Sequence, residues 1–142
     1  MLKVGHTFAR VKIYSPINPS KTLDLNLIVD TGSTYTWIKR AKLEGLGLKP
    51  IGERLFRTIE GKVIRREIGE AYIECLGEKV TTIIVFAEEG DIEVLGVYAL
   101  EGLGLEIDPT TKELRKSEAI LALSSHPEGV NAFTPSLNHK IC

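Results

Sequence analysis

The 142-residue chain reads as an all-β domain with one or two short helices. Three observations predict this. Apolar and β-branched runs of strand length recur along most of the chain, and turns built from Gly, Pro, Asp and Asn separate them. The two segments with a helical pattern are both short, and both end in the same six residues, Leu-Glu-Gly-Leu-Gly-Leu, at Leu43 to Leu48 and Leu100 to Leu105.

Taken in order, Val4 to Tyr14 alternates in patches and forms a first expected strand, closed by a turn over Ser15-Pro16-Ile17-Asn18-Pro19-Ser20. Leu23 to Val29 is the second, with apolar residues at 23, 25, 27 and 29 on one face. Thr34 to Ile38, rich in β-branched and aromatic residues, is the third. Arg40 to Leu48 then suggests a short helix stopped at a glycine, with Leu48 folding back as the apolar partner of the cap. Leu55 to Ile59 and Lys62 to Ile68 are joined at Glu60-Gly61, the pattern of a hairpin. A second hairpin is expected from Gly69 to Cys75 and Lys79 to Ala87, across Leu76-Gly77-Glu78. Ile92 to Leu95 is a strand, Tyr98 to Gly104 a second short helix, and Leu105 to Leu114 a last hairpin with a proline-led turn. These elements make one domain over residues 1–116. The pattern is lost from Ser117 onward, so residues 117–142 form a tail of uncertain structure.

The composition excludes several classes of function. With 18 basic and 19 acidic residues the net charge is −1, and no excess points to nucleic acid or an anionic membrane. Arg65-Arg66 reads as a solvated strand face, and Lys62 and Arg65 as solvated charges. No run approaches the ~18 apolar residues of a membrane span, and Met1 to Arg10 lacks a secretory apolar stretch, so the expected compartment is cytoplasmic. Cys75 and Cys142 lie far apart and read as free thiols. His6, His126 and His139 show no ligand spacing, so neither a metal nor another cofactor is expected. Tyr35 and Trp37 are expected to serve core and interface packing rather than substrate contact.

Chemistry concentrates in Leu27-Ile28-Val29-Asp30-Thr31-Gly32-Ser33, an acidic turn that follows a buried strand. A carboxylate there is expected where solvent is scarce, beside a glycine that lets backbone approach it. The pattern apolar-apolar-Asp-Thr-Gly-Ser between strands resembles the active-site loop of the aspartic peptidases. Leu95-Gly96-Val97 before a short helix matches the second signature of that family. A single Asp-Thr-Gly in a chain of this length is similar to the single-domain retroviral type, the retropepsins.

That resemblance implies a closed acid-protease β-barrel acting as a homodimer. Asp30 of each copy would supply one carboxylate, and a water activated between the two would hydrolyse the bonds of a peptide or unfolded protein. Two carboxylates about 3 Å apart repel by about 5 kcal/mol at an effective dielectric near 20, so one is ionised while the other is neutral. By the same resemblance Thr31 reaches the partner's loop, Gly32 admits its N–H to the carboxylates, and Leu95, Gly96 and Val97 support the loop. Ser33 is expected to donate to the outer oxygen of Asp30. Ile59, Glu60, Gly61 and Lys62 form the tip of a flap that would bind substrate together with Ser33. The alternative is a catalytically weak dimerisation or peptide-binding module on the same fold.

Overall fold

The computed structural model describes residues 6–118, so the expected start of the first strand at Val4, the tail beyond residue 118, Cys142, His126 and His139 lie outside the described residues. Nine strands and two short helices follow in the order β1 (Phe8–Ser15), β2 (Asn18–Val29), β3 (Thr36–Lys39), α1 (Arg40–Gly45), β4 (Gly52–Arg57), β5 (Val63–Cys75), β6 (Glu78–Ala87), β7 (Val94–Leu95), α2 (Val97–Leu103), β8 (Leu105–Ile107) and β9 (Leu114–Lys116). The all-β expectation holds.

Seven strands form one sheet in the order β1-β2-β7-β3-β6-β5-β4, and β1 also pairs with β5. β8 and β9 make a separate two-stranded sheet. Alternation decides which side faces inward. Ala9, Val11 and Ile13 of β1 are buried while Arg10 and Lys12 are exposed, and Leu27 and Val29 of β2 join them. Burial of an aliphatic side chain of this kind stabilises by about 1.5–3 kcal/mol. β6 lies between β3 and β5, and Ile84 to Ala87 are buried without a break, as suits a strand paired along both edges. The two helices contribute Leu43, Ala99, Leu100 and Leu103 to the same core.

Two expectations about turns are corrected. The first connection is only Pro16-Ile17, and β2 begins at Asn18. Pro19 fits inside that strand because the register jumps there: Thr22 pairs with Tyr14 and Asn18 with Ser15, so Pro19 falls in the irregular stretch and owes the ladder no N–H. The two strand runs expected at Lys62 to Ile68 and Gly69 to Cys75 are one 13-residue strand. Gly69 does not break it. A Cβ at that position would stand 3.0 Å from the Phe86 ring and 3.1 Å from the Lys49 carbonyl oxygen, so the glycine makes room for packing.

The repeated hexapeptide is placed alike in both halves, yet Gly32 to Gly47 is a longer path than Gly96 to Gly104. The acidic loop and β3 intervene before α1, whereas α2 begins immediately after Gly96. β2 pairs in parallel with β7, and Asp30 therefore emerges beside Leu95.

Candidate active site

β2 ends at Val29, and the next residue starts a tight turn. The Asp30 N–H donates to the Leu95 carbonyl at 2.9 Å, continuing the parallel ladder by one bond. The Ser33 N–H then closes the turn on the Asp30 carbonyl at 3.1 Å. Gly32 donates its N–H to Asp30 Oδ1 at 2.9 Å, and a Cβ on Gly32 would stand 3.3 Å from that same oxygen. The residue type is thus set by close approach to the carboxylate.

The back of the loop is held by main chain. Val97 and Tyr98, at the start of α2, donate their N–H groups to the carbonyls of Ser33 and Thr34, each at 2.9 Å. These bonds satisfy two of the donors that a helix start leaves unpaired, and they fix the far side of the turn. Gly96 passes so near that a Cβ would lie 2.3 Å from the Tyr35 carbonyl oxygen and 2.9 Å from that of Ser33. Its N–H donates to the hydroxyl of Thr36, which is fully buried, at 3.0 Å. Leu95 is also fully buried, and Val97 opens α2. These three residues lie directly behind the acidic turn.

Two expectations about the carboxylate change. Asp30 is exposed in the single chain, where the backbone bonds of its turn run back to Leu95 and the start of α2 and leave the carboxylate on the cleft side. Ser33 donates its hydroxyl to the Tyr35 carbonyl at 2.7 Å rather than to Asp30. The turn carries the Ser33 side chain back over the following backbone, away from the carboxylate. Thr31 is exposed at the crest of the loop.

An open cleft of about 1040 Å³ extends from Asp30 to the β4–β5 hairpin. Ser33, Ile59 and Glu60 line it, while Gly61 and Lys62 lie outside the lining. At the hairpin tip Thr58 and Lys62 face one another, the Thr58 N–H donating to the Lys62 carbonyl at 2.8 Å and the Lys62 N–H to the Thr58 hydroxyl at 3.1 Å. Gly61 there has φ +89°, and Ile59 is fully exposed.

Sequence reasoning missed the remaining walls. Trp37 and Tyr35 both line the cleft, half-buried, and Phe56 meets their rings at centroid distances of 4.9 and 6.2 Å. The clue lay in the alternation of β3. Thr36 and Ile38 are fully buried, which leaves Tyr35 and Trp37 on the opposite, cleft-facing side. A second wall is the segment from Gly90 to Ile92.

That wall is fixed by charge. Arg66 on β5 grips Asp91 with Nε to Oδ2 at 2.7 Å and Nη2 to Oδ1 at 2.9 Å, and both side chains are less than a fifth exposed. The Glu88 N–H also donates to Asp91 Oδ2, at 2.7 Å. The hydrogen bonds from Arg66 hold the Asp91 carboxyl below its ordinary range, and the Arg66 guanidinium is raised in turn. Arg40, at the start of α1, bridges Glu67 and Glu88, each at 2.7 Å, and its hydrogen bond lowers the Glu88 carboxyl. The expectation of a solvated face at Arg65-Arg66 therefore fails for Arg66. Its strand neighbour Arg65 does lie at the surface, paired with Glu53 at 3.2 Å.

Among the described residues no group of His, Cys, Asp and Glu is placed to hold a metal ion, and no helix is long and apolar enough to cross a membrane. Cys75 is a buried free thiol that burial pushes up in pKa.

A β-sheet whose second strand delivers an Asp-Thr-Gly turn into a cleft, braced by a Leu-Gly pair and a short helix, defines an acid-peptidase domain. The chain belongs to the aspartyl protease family, of retropepsin-like kind: the family model described as Aspartyl protease matches residues 17–97, more than half of the chain. Comparison with curated proteins gives no match.

Proposed function

We propose that the chain is an aspartic endopeptidase whose centre is completed by a second copy of itself, with Asp30 of each subunit flanking one water. The observation that carries this reading is the Asp30 turn. Its backbone is fixed on one side by Leu95, Val97 and Tyr98, while its carboxylate is left facing an open cleft.

Each step needs only groups of this chain and a peptide. One Asp30 carboxylate takes a proton from the water as the oxygen attacks the scissile carbonyl carbon. The other, neutral, donates a proton to the carbonyl oxygen. Collapse of the tetrahedral intermediate expels the amine, which takes its proton from the carboxyl group that had accepted one from the water. The other carboxylate takes a proton from the gem-diol hydroxyl, so the pair is again singly protonated. Gly32 holds the carboxylate oxygen in place by its N–H. A twofold mate packed on the exposed turn would bury Asp30 and bring Thr31 against the partner's loop, which supplies the exclusion of water that the single chain lacks. The β4–β5 hairpin would close from above and offer main-chain groups to an extended peptide. Peptides and unfolded proteins are the substrates, and the cytoplasm is the proposed compartment.

The test is incubation of wild type and Asp30→Asn with an unfolded protein from pH 3 to 8, alongside sedimentation at micromolar concentration. Cleavage by the wild-type dimer and none by the variant is expected. Equal cleavage by both proteins, or full activity in a strictly monomeric protein, would overturn the reading.

A further inference from the structure

The charges around the cleft are unevenly used. Asp91 has both oxygens occupied by Arg66 and the Glu88 N–H. Glu53 pairs with Arg65, and Glu67 with Arg40. Arg57 donates to the Gly61 carbonyl at 3.0 Å. Arg54 lines the cleft too, but among the described residues its guanidinium has no carboxylate partner; the side chain's only hydrogen bond there is a long one, 3.5 Å, to the Glu53 carbonyl. It stands opposite Arg66 in the β4–β5 register, where Asp91 is already saturated.

Strand alternation puts Arg54 on the same face of β4 as Phe56, and the contacts of Phe56 with Trp37 and Tyr35 turn that face toward the aromatic wall. Residues two apart on a strand are separated by roughly 6.5–7 Å, and an extended peptide lying along β4 repeats its own same-face side chains at that interval. We propose that Arg54 is a specificity-determining residue that selects peptides with an Asp or Glu two positions from a large apolar residue, the apolar side chain resting on Tyr35, Trp37 and Phe56. Among the described residues the other cleft-lining charges without an ion pair are Arg57, also on β4, Asp30 at the acidic turn and Glu60 at the hairpin tip beyond Arg57, so the charges without ion pairs that β4 itself presents are cationic. The inference rests on the peptidase reading for its meaning as substrate choice, but its binding step can be measured without turnover.

Trp37 is the only tryptophan of the chain and lies on the apolar wall, so its fluorescence reports occupancy there. The probes are three synthetic octapeptides that differ only in Glu, Gln or Lys two positions from a phenylalanine. They are titrated into the full chain carrying Asp30→Asn and, in parallel, digested with wild type. The Glu peptide is expected to bind about three- to fivefold more tightly than the Gln peptide at low salt, with the Lys peptide weakest, and the advantage to vanish near 1 M salt. Arg54→Glu should reverse the order, and Arg54→Lys should keep most of it, both with unchanged circular dichroism. An order that is the same in wild type and Arg54→Glu, or no response of Trp37 to any peptide, overturns the proposal. Cleavage without charge preference sinks this inference and leaves the peptidase standing; charge-dependent binding reversed by Arg54→Glu, with no cleavage, does the opposite.

Discussion

The two copies of Leu-Glu-Gly-Leu-Gly-Leu bury the same positions and turn at the same glycine, although α1 stops one residue earlier in the repeat than α2, and they do different work. In both, the first, fourth and sixth residues are buried: Leu43, Leu46 and Leu48 in one, Leu100, Leu103 and Leu105 in the other. In both, the second glycine is left-handed, Gly47 at φ +82° and Gly104 at φ +70°, and donates to the carbonyl of the glutamate three residues before it. The difference lies at the opposite end of each helix. α1 is entered through Arg40, whose ion pairs reach Glu67 on β5 and Glu88 just after β6. α2 is entered through Gly96 and ties itself by backbone bonds to the acidic turn. Charge anchors one half and close backbone packing the other. A short sequence therefore specifies how a helix stops, whereas its role depends on what its first turn touches.

That contrast is broken most severely at Gly96. Alanine there would overlap two carbonyl groups, so Gly96→Ala should cost upwards of about 3 kcal/mol, or shift the acidic turn and abolish turnover. Urea unfolding together with the peptidase assay reads both, and a stable, fully active variant would refute the bracing role. Next come the two matched caps. Gly47→Ala and Gly104→Ala each force a Cβ into the left-handed region and should each lose about 1 kcal/mol. Unequal losses would show that the shared cap is supported differently in the two halves.

The charge anchor gives a smaller, pH-dependent effect. Because the folded-state value of Asp91 is depressed, the stability it contributes is present above the unfolded carboxyl value near pH 4 and is lost as pH falls through the folded value. Wild type should exceed Asp91→Asn by about 1 kcal/mol at pH 7, and thermal melts of the two should converge in strong acid. The subtlest comparison is between the first glycines of the repeat. A Cβ at Gly45 meets nothing within 4 Å, so Gly45→Ala should add about 0.5–1 kcal/mol by helix propensity. At Gly102 the same Cβ would stand 3.3 Å from the Val80 side chain, and the gain should shrink or vanish. Equal gains in paired chemical denaturation curves would remove this distinction between the halves.

Legibility followed the range of the interactions. The strands were readable where one face alternates, as at Leu23 to Val29, and the helix ends where Gly follows Leu. Gly69 and Pro19 misled because a turn-forming residue can instead serve close packing or an irregular register, and the packing partners of Gly69, Phe86 and Lys49, are far from it in sequence. The Asp-Thr-Gly-Ser turn and Leu95-Gly96 were legible as signatures, and the structure joins them through the Asp30 N–H and the Leu95 carbonyl. The hydroxyl of Ser33 was misassigned because its acceptor depends on the path of the turn.

By itself the sequence determined the all-β class, the acidic turn and the two capped helices, since each depends on neighbouring residues or on period-two patterning. Only the tertiary structure decided that Tyr35, Trp37 and Phe56 share a wall, that Arg66 clamps Asp91, and that Arg54 has no carboxylate partner among the described residues. Those outcomes depend on pairings between residues tens of positions apart, and the chain's own order does not encode which cation reaches which carboxylate first.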